Sequence, residues 1–413
     1  MNNLFKGLLL VTLVYCNVGN INANDILNNE YNYDLFSDFN LTTENNLKND
    51  NNININQNKT IKILSLDGGG TRGYLQAKFL DRFCQDADID NIGEYFDLIA
   101  GTSAGSLNAM ALVNDITPND IMNFYRSKSP WIFTIRSVKD IFSNNASVPS
   151  NKPNAFQQFL MMLFSNPFYK SVSQTSNYGN ARLRMELHDA FGDKLLTSIK
   201  TPVLLTAYND SEYYPLMFTN ANLNHIPDTF RNIKIVDAIM ASMSAPVFLP
   251  STELHLSLDA NASAQHIVDG ALFQNNPSLL ALTAAKALYP SAENYFLLSI
   301  GTGSGEIGLH LDVDDPEPSM NTTLQYTRLY STMMYNSSVA NEIFFKEISK
   351  PLHKSNIHYY RFNFKLDNNI DCDFTTSTTE FFNYLDSAVI KQYDKDQSKI
   401  EAFINNINKE NNK

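Results

Sequence analysis

The chain has 413 residues, 43% of them hydrophobic, and a formal net charge of -12 at pH 7. This length and apolar content suit one large domain or two ordinary ones. A nucleic-acid binder would show a basic stripe, and this acidic chain has no Lys/Arg-rich cluster, so that class is excluded. The same acidic charge means that any contact with a membrane surface has to be apolar.

The first 23 residues have the layout of a secretory signal peptide. Lys6 is the only charge before the apolar stretch 7–15, and a small-residue site, Ile-Asn-Ala, follows at 21–23. The apolar core is too short to span a bilayer, so we predict an exported protein from which residues 1–23 are removed. A buried N-terminal strand is the alternative, and the Asn-rich tract that follows disfavours it.

Residues 24–59 are rich in Asn and offer little to bury, which predicts a disordered spacer. From 60 to 310, short β-rich runs alternate with helical stretches: IKILSL (61–66), YFDLIAG (95–101), TPVLLTAY (201–208), HIVDG (266–270) and YFLLSIG (295–301). Such alternation predicts an α/β fold of three layers, α/β/α, with a mostly parallel central sheet. Residues 311–413 are more polar, and we expect a mainly helical part that packs on the same domain.

A glycine loop follows the first predicted strand. Gly68, Gly70 and Gly73 spell G-x-G-x-x-G, the pattern of a dinucleotide-binding turn. Amides of such a loop can bind a phosphate, or equally the oxyanion that forms when a serine attacks an ester. A dinucleotide site needs an acidic residue at the end of a second strand, about 20 residues on. Asp88 and Asp90 follow a helix with no strand before them, so the pattern favours the oxyanion.

The second predicted strand ends in a nucleophile elbow. Gly101 to Gly105 read G-T-S-A-G, which fits G-x-S-x-G between an apolar run and a helix of small residues. This turn places Ser103 at a helix N-terminus, where the amides and the dipole favour developing negative charge. An ordinary glycine-rich β–α turn is the alternative. The amides of residues 68–70 are the candidate oxyanion hole, worth on the order of 3 kcal/mol of barrier per donor.

The candidate base is an aspartate. Asp269 ends the predicted strand HIVDG, and the carboxyl ends of parallel strands are where such sheets build their sites. Alternation puts His266 on the opposite face, so we do not expect it to assist Asp269. None of the histidines after the elbow has a glycine-flanked strand-end setting. Besides His266, these are His188, His225, His255, His310, His353 and His358. A turn or helix-capping role is the alternative for Asp269.

Together these stretches resemble the patatin-like phospholipase family. The family's D-G-G-G-x-R-G loop is matched by Asp67 to Gly73, its G-x-S-x-G elbow by Gly101 to Gly105, and its D-G-[GA] segment by residues 269–271. Three further stretches are similar to parts of the family pattern, namely 204–220, 242–250 and 297–303. The resemblance covers about residues 60–305, and the catalytic positions show no departure from the pattern.

The resemblance implies a secreted lipid acyl hydrolase of the phospholipase A type, acting through an acyl-enzyme. Ser103 would be the nucleophile and Asp269 the base, without a histidine, a metal or another cofactor. The amides of Gly68, Gly69 and Gly70 would form the oxyanion hole. Other positions support the motifs: Asp67, Arg72, Gly73, Gly101, Gly105 and Gly270. Three roles stay open for Arg72: it neutralises nearby charge, it meets a lipid phosphate, or it forms a structural ion pair.

A lipid substrate needs an apolar entry. The segments 129–142 and 156–169 are rich in aromatic residues, Met and Leu, and they lie between the elbow and the next core strand. They suit an acyl groove that meets the membrane surface, with ordinary core helices as the alternative. No motif identifies an activating factor. Two competing functions are a dinucleotide- or phosphate-binding protein and a non-catalytic storage or binding protein with the same fold.

Overall fold

The computed structural model describes residues 60–133, 179–223, 226, 230–246, 248–256, 263–304, 322–348 (backbone only for 322–331), 356–367 and 374–411. These residues belong to one compact unit. The predicted signal peptide (1–23), the predicted spacer (24–59), the apolar segment 156–169 and most of the segment 129–142 lie outside the described residues.

Eight strands form a single sheet: β1 (Thr60–Leu66), β2 (Leu98–Thr102), β3 (Val203–Asn209), β4 (Tyr214–Thr219), β5 (Thr252–Leu254), β6 (Gln265–Asp269), β7 (Asn294–Ile300) and β8 (Ile357–Phe362). They are hydrogen-bonded in the order β5-β6-β3-β2-β1-β7-β8, and β4 also pairs with β3. Neighbouring strands pair in parallel along the series β3-β2-β1-β7-β8. The pairs β3–β4, β3–β6 and β5–β6 are antiparallel. All five predicted strands are confirmed.

The helices are α1 (Tyr74–Ala87), α2 (Ile92–Tyr95), α3 (Ala104–Leu112), α4 (Pro118–Ile132), α5 (Ala181–Phe191), α6 (Ile235–Met243), α7 (Ala271–Gln274), α8 (Ser278–Leu288), α9 (Thr322–Ile348), α10 (Thr379–Lys395) and α11 (Gln397–Asn411). Short 3-10 turns cover Gly70–Gly73 and Leu196–Ser198. The start of α4 follows its sequence: the side chain of Thr117 accepts from the amide of Asp120, and Pro118 needs no partner at the first helical position.

Alternate side chains of β1 face two apolar clusters. Ile61 and Ile63 pack with α8 and with Phe345 of α9 on one face of the sheet, whereas Leu64 and Leu66 pack with α1, α3, α4 and α6 on the other. A central parallel strand that is covered on both faces is expected to carry apolar residues on both, as β1 does with these four. The predicted three-layer α/β/α arrangement is therefore confirmed.

The region after residue 310 contains a strand as well as the expected helices. β8 pairs with β7 at the edge of the sheet, and five of its six residues are only partly buried. Its sequence, IHYYRF, mixes polar and aromatic residues because an edge strand needs no continuous apolar run. The sequence signal for a strand is correspondingly weak there. Among the described residues, no helix combines the length and the apolarity needed to cross a bilayer.

Phe403 of α11 joins the C-terminal helices to the core. It is fully buried, with ring centroids 5.9 Å from Phe83, 6.4 Å from Phe296 and 5.1 Å from Tyr360. We expect Phe403→Ala to lower the free energy of unfolding by about 3–5 kcal/mol, because it leaves a cavity among these rings. Urea unfolding of the full chain measures this. Asn408→Ala, exposed on the same helix, is the control and should change stability by no more than about 0.5 kcal/mol. Equal stability of the two variants would contradict this packing.

Candidate active site

Ser103 lies at the sharp turn between β2 and α3. Its φ of 55° and ψ of -122° place a non-glycine residue in a strained region, as a nucleophile elbow requires. Glycines allow the turn to close. A Cβ on Gly101 would lie 2.3 Å from the carbonyl oxygen of Gly105, and a Cβ on Gly105 would lie 2.2 Å from that of Leu66. Both predicted motif glycines are therefore required by close backbone contacts.

A serine of α6 holds the elbow backbone. The amide of Ser103 donates to Oγ of Ser242 at 2.9 Å, and this oxygen lies 2.7 Å from Oγ of Ser106. Ser106 in turn donates to the carbonyl of Gly101 at 2.9 Å, and both supporting serines are fully buried. Ser242 belongs to a stretch that is similar to the family pattern, but the sequence assigns it no role. The structure shows that it orients the elbow.

Asp269 approaches the elbow because two strands share one edge of β3. β4 occupies the opposite edge along residues 204–209. On the remaining edge, β2 pairs with β3 up to Thr206, and β6 pairs with it from Ala207, whose partner is Asp269. The end of β2 and the end of β6 therefore meet at neighbouring positions of β3. Ser103, directly after β2, is brought to the same place as Asp269.

Asp269 is fully buried at the turn from β6 into α7. Its amide donates to the carbonyl of Ser244 at 3.0 Å, and its Oδ1 accepts from the amide of Ala271 at 2.8 Å. The second bond joins the side chain to the amide two residues on, which is the turn role that the sequence leaves open, and it also orients the carboxylate. Gly270 is needed here because a Cβ would lie 2.3 Å from Oγ1 of Thr206.

The carbonyls of the glycine loop face the protein. The Gly68 carbonyl accepts from Oγ1 of Thr302 at 2.6 Å, and the Gly69 carbonyl accepts from the amide of Arg72 at 3.2 Å and from its Nε at 3.4 Å. In a trans peptide unit the N–H points away from the C=O, and none of the described peptide bonds is cis. The amides of Gly69 and Gly70 are therefore directed away from Thr302 and Arg72.

The three glycine amides do not share one environment. The Gly68 amide donates to the carbonyl of Asn275 at 3.2 Å, whereas those of Gly69 and Gly70 have no acceptor among the described residues. Gly69 and Gly70 line the same cavity as Ser103. Gly70 has a φ of 58°, which favours glycine. This arrangement presents two amides beside the elbow.

A buried polar chain supports both ends of the loop. Nε2 of Gln76 donates to the carbonyl of Asp67 at 2.9 Å, and Nδ2 of Asn108 donates to Oε1 of Gln76 at 2.8 Å and to the carbonyl of Gly73 at 3.0 Å. The hydroxyl of Tyr125 donates to Oδ1 of Asn108 at 3.1 Å. Gly73 leaves room for this hydroxyl, which would lie 2.2 Å from a Cβ there. Side chains of α1, α3 and α4 thus hold both ends of the loop in place.

Arg72 is 5% exposed and serves the loop itself. Besides its bond to the Gly69 carbonyl, its guanidinium lies over the ring of Phe374, 4.5 Å from the centroid. The backbone of Phe374 also meets the loop, because its carbonyl accepts from the amide of Thr71 at 2.8 Å. Among the described residues, Arg72 therefore holds the glycine loop against the segment that begins at Phe374.

The candidate catalytic residues line one small cavity with apolar walls. Ser103, Asp269, Gly69 and Gly70 are joined there by Phe133, Met243, Ala245, Phe248, Leu249, Met334, Phe374 and Thr375. The cavity measures about 30 Å³, the share of one water molecule in the liquid. The wall thus combines carbon-rich side chains with one candidate serine nucleophile, one carboxylate and two backbone amides.

Arg361 of β8 is a site-supporting residue that the sequence does not reveal. Its Nη1 and Nη2 donate to Oδ1 and Oδ2 of Asp67 at 2.7 and 2.5 Å. The two residues are 294 positions apart, and no local pattern links an arginine in an edge strand to the aspartate of a distant loop.

None of the described histidines lines this cavity. His188 and His255 are exposed, and the exposed His266 lies 3.2 Å from Oγ of Ser251. The His358 ring stacks on Phe296 at 4.3 Å, near the start of β8 and far from the carboxyl ends of the strands. Burial lowers the pKa of His358, which keeps it neutral. His225, His310 and His353 lie outside the described residues.

A larger groove of about 550 Å³ lies elsewhere, lined in part by Asp81, Cys84, Asp88, Asp90 and Asp115. Asp88 and Asp90 lie in the turn after α1 and on no strand, so they do not provide the strand-end acid of a dinucleotide site. Burial raises the pKa of the Cys84 thiol to about 11, which keeps it protonated and unreactive. No group of three His, Cys, Asp or Glu side chains in the described ranges is arranged to hold a metal ion.

Residues 64–282 match the sequence profile of the family described as Patatin-like phospholipase. The chain belongs to this family. Patatin-like protein 1 of Arabidopsis thaliana is 30% identical over 59% of this chain and 59% of its own length, and the cGAMP-activated phospholipase of Vibrio cholerae is 28% identical over 54% and 57%. The matched parts thus span less than two thirds of these relatives. The crystal structure of VipD from Legionella pneumophila superposes with a TM-score of 0.39 and 12% identity, covering 81% of this chain and 67% of that one.

Two glycine variants test the geometry of the elbow. Gly101→Ala drives a Cβ against the carbonyl of Gly105, whereas Gly192 has open space around its Cβ position and only a positive φ of 58°. We expect Gly101→Ala to abolish labelling of Ser103 by a fluorophosphonate probe. Gly192 has a φ of 58° and a ψ of -139°, so Gly192→Ala should keep labelling and lose only stability, by about 1–3 kcal/mol. Normal labelling of a folded Gly101→Ala protein would show that the elbow does not need this glycine.

Proposed function

We propose that this protein is a lipid acyl hydrolase of the phospholipase A type, with Ser103 as nucleophile and Asp269 as base. The observation that carries the proposal is that both side chains line one apolar-walled cavity with the amide-bearing residues Gly69 and Gly70. Membership of the patatin-like phospholipase family supports the same chemistry.

The reaction would proceed in two halves. In the first, the Asp269 carboxylate accepts the Ser103 hydroxyl proton as Oγ attacks the ester carbonyl, and the amides of Gly69 and Gly70 donate to the oxyanion. The intermediate collapses to an acyl-enzyme, and the alcohol leaves with the proton held by Asp269. In the second half, Asp269 accepts a proton from water as the water oxygen attacks the acyl carbonyl. As this intermediate collapses, Asp269 returns the proton to Oγ of Ser103, which releases the fatty acid and regenerates the free serine.

The cavity walls favour a lipid acyl group over a polar one. Phe248, Leu249, Met243, Met334 and Phe374 present carbon surface toward Ser103. A volume of about 30 Å³ holds one water and not a fatty chain. An acyl chain therefore has to displace these side chains, and the two methionines are flexible enough to move.

Export and membrane contact form part of the proposal. The pattern of residues 1–23 supports secretion, and the net charge of -12 makes attraction to anionic head groups a poor means of reaching a lipid surface. We propose that apolar side chains at the entrance of the cavity beside Ser103 make that contact.

Ser103→Ala tests the proposal directly. Release of free fatty acid from mixed phospholipid vesicles should fall below detection, a loss on the order of 10⁵ or more, because no other described group can form the acyl-enzyme. Ser198→Ala, exposed on the 3-10 turn at residues 196–198, should keep full activity. Assays in EDTA should match those without it. Equal fatty acid release by wild type and Ser103→Ala would reject the serine mechanism, and a folded wild type without hydrolysis would favour a storage or binding role.

Asp269→Asn tests the identity of the base. The amide keeps the shape of the side chain but cannot accept the serine proton, so kcat should fall by about 10²–10⁴. The exposed Asp210→Asn variant is the matched control. We expect His310→Ala, His353→Ala and His358→Ala to stay active, and the rate to show no break at a pH of about 6.5, where a histidine base would titrate. One inactive histidine variant beside an active Asp269→Asn variant would replace the dyad with a triad.

A further inference from the structure

The oxyanion loop is anchored by a strand that lies outside the family match. Arg361 is the fifth residue of β8, whereas the match ends at residue 282. Its guanidinium binds Asp67, the residue immediately before Gly68, through two parallel bonds of 2.7 and 2.5 Å. The Arg361 side chain is 8% exposed and that of Asp67 is 3% exposed. The pair is therefore buried, with the fork geometry that arginine makes with a carboxylate.

Further polar groups surround the pair: burial raises the pKa of the Asp67 carboxyl, and Arg361 and Ser338 act against that rise. The hydroxyl of Ser338 donates to Oδ2 of Asp67 at 3.2 Å, and Nη1 of Arg361 also donates to Oγ of Ser299 at 3.0 Å. Oε1 of Glu342 lies 3.8 Å from Nε of Arg361. Burial acts to lower the pKa of Arg361, but Asp67, Tyr359 and Glu342 together outweigh burial and the pKa is raised, so the guanidinium stays charged.

Asp67 is the point at which the glycine loop leaves the sheet. Three glycines follow it, and glycine has more backbone freedom than any other residue. The amide of Asp67 donates to the carbonyl of Ile300 at 3.1 Å, and its carbonyl accepts from Gln76. A side chain clamped by Arg361 restricts the remaining rotations of this residue. The direction in which Gly69 and Gly70 present their amides depends on that restriction.

We propose that Arg361 is a positioning residue for the oxyanion hole, and that it acts through Asp67. The inference rests on the proposed function, because the loop has an oxyanion to bind only if Ser103 attacks an ester. A buried ion pair is weak evidence for a stabilising role, since apolar replacements of the same volume are often as stable. Its location at the root of the glycine loop favours a role in geometry.

The role can be separated from a purely structural one by kinetics on titrated active sites. We would compare full-length wild type, Arg361→Gln, Arg361→Lys, Asp67→Asn and the Arg361→Gln/Asp67→Asn double variant on a p-nitrophenyl acyl ester. Fluorophosphonate labelling gives the concentration of active Ser103 in each sample. Tyr393→Phe is the control, because it removes a C-terminal contact to Asp86 of 2.7 Å without touching the loop.

We expect Arg361→Gln to lower kcat per titrated site by about 10²-fold, which is the effect of a displacement near 1 Å in an active site. KM should change by less than about threefold, because oxyanion donors act in the transition state. The inhibition constant of a trifluoromethyl ketone, which forms a tetrahedral adduct with the serine, should rise by the same factor. Asp67→Asn should behave alike, and the double variant should be no worse than the poorer single variant. Arg361→Lys, which keeps the charge and loses the fork, should recover part of the rate.

Wild-type kcat per titrated site and unchanged ketone inhibition in a folded Arg361→Lys or Arg361→Gln protein would overturn the proposal. So would effects of Arg361→Gln and Asp67→Asn that multiply in the double variant, since they would act independently. If wild type and Ser103→Ala hydrolyse the ester equally, the proposed function itself fails and this inference fails with it. Loss of rate in Tyr393→Phe as large as in Arg361→Gln would assign Arg361 to general stability.

Discussion

One edge of β3 brings the two candidate reacting groups together. β4 covers the opposite edge, so β2 and β6 divide what remains, with their partners on either side of the step from Thr206 to Ala207. Because β2 runs parallel to β3 and β6 runs antiparallel to it, the two strands approach from opposite directions and both end at this step. Ser103 follows one end and Asp269 forms the other. The mixed pairing at this side of the sheet thus replaces the long loop that would otherwise have to carry a base to the elbow.

The glycine loop obtains its geometry from its carbonyls. Glycine carries no side chain that could orient the backbone, so the direction of each peptide unit has to be imposed from outside. Gln76, Thr302 and Arg72 donate to three successive carbonyls, those of residues 67, 68 and 69. Once these oxygens are satisfied on the protein side, the amides of Gly69 and Gly70 have the cavity side left. A preorganised pair of donors thus follows from satisfying buried carbonyls.

The sequence predicts the parts of this fold whose signals are local. Five strands follow from apolar runs, and the elbow follows from two glycines around Ser103. The rest depends on partners distant in the chain: Thr302 binds the loop across 234 residues, Ser242 binds the Ser103 amide across 139, and Arg361 reaches Asp67 across 294. No window of neighbouring residues contains such pairs. β8 escapes prediction for a related reason, because an edge strand that is half-buried on both faces has no clear period.

The size and the apolar walls of the cavity bear on how a lone aspartate acts as base. Burial opposes the charge on a carboxylate, and the bond from the Ala271 amide to Oδ1 of Asp269 favours it. In apolar surroundings the same low dielectric strengthens the attraction between the loop amides and an oxyanion. A volume of about 30 Å³ accommodates about one water molecule. Deacylation needs one water beside the carboxylate, so a cavity of this size suits the second half of the reaction, while the first half requires the apolar wall to give way to the acyl chain.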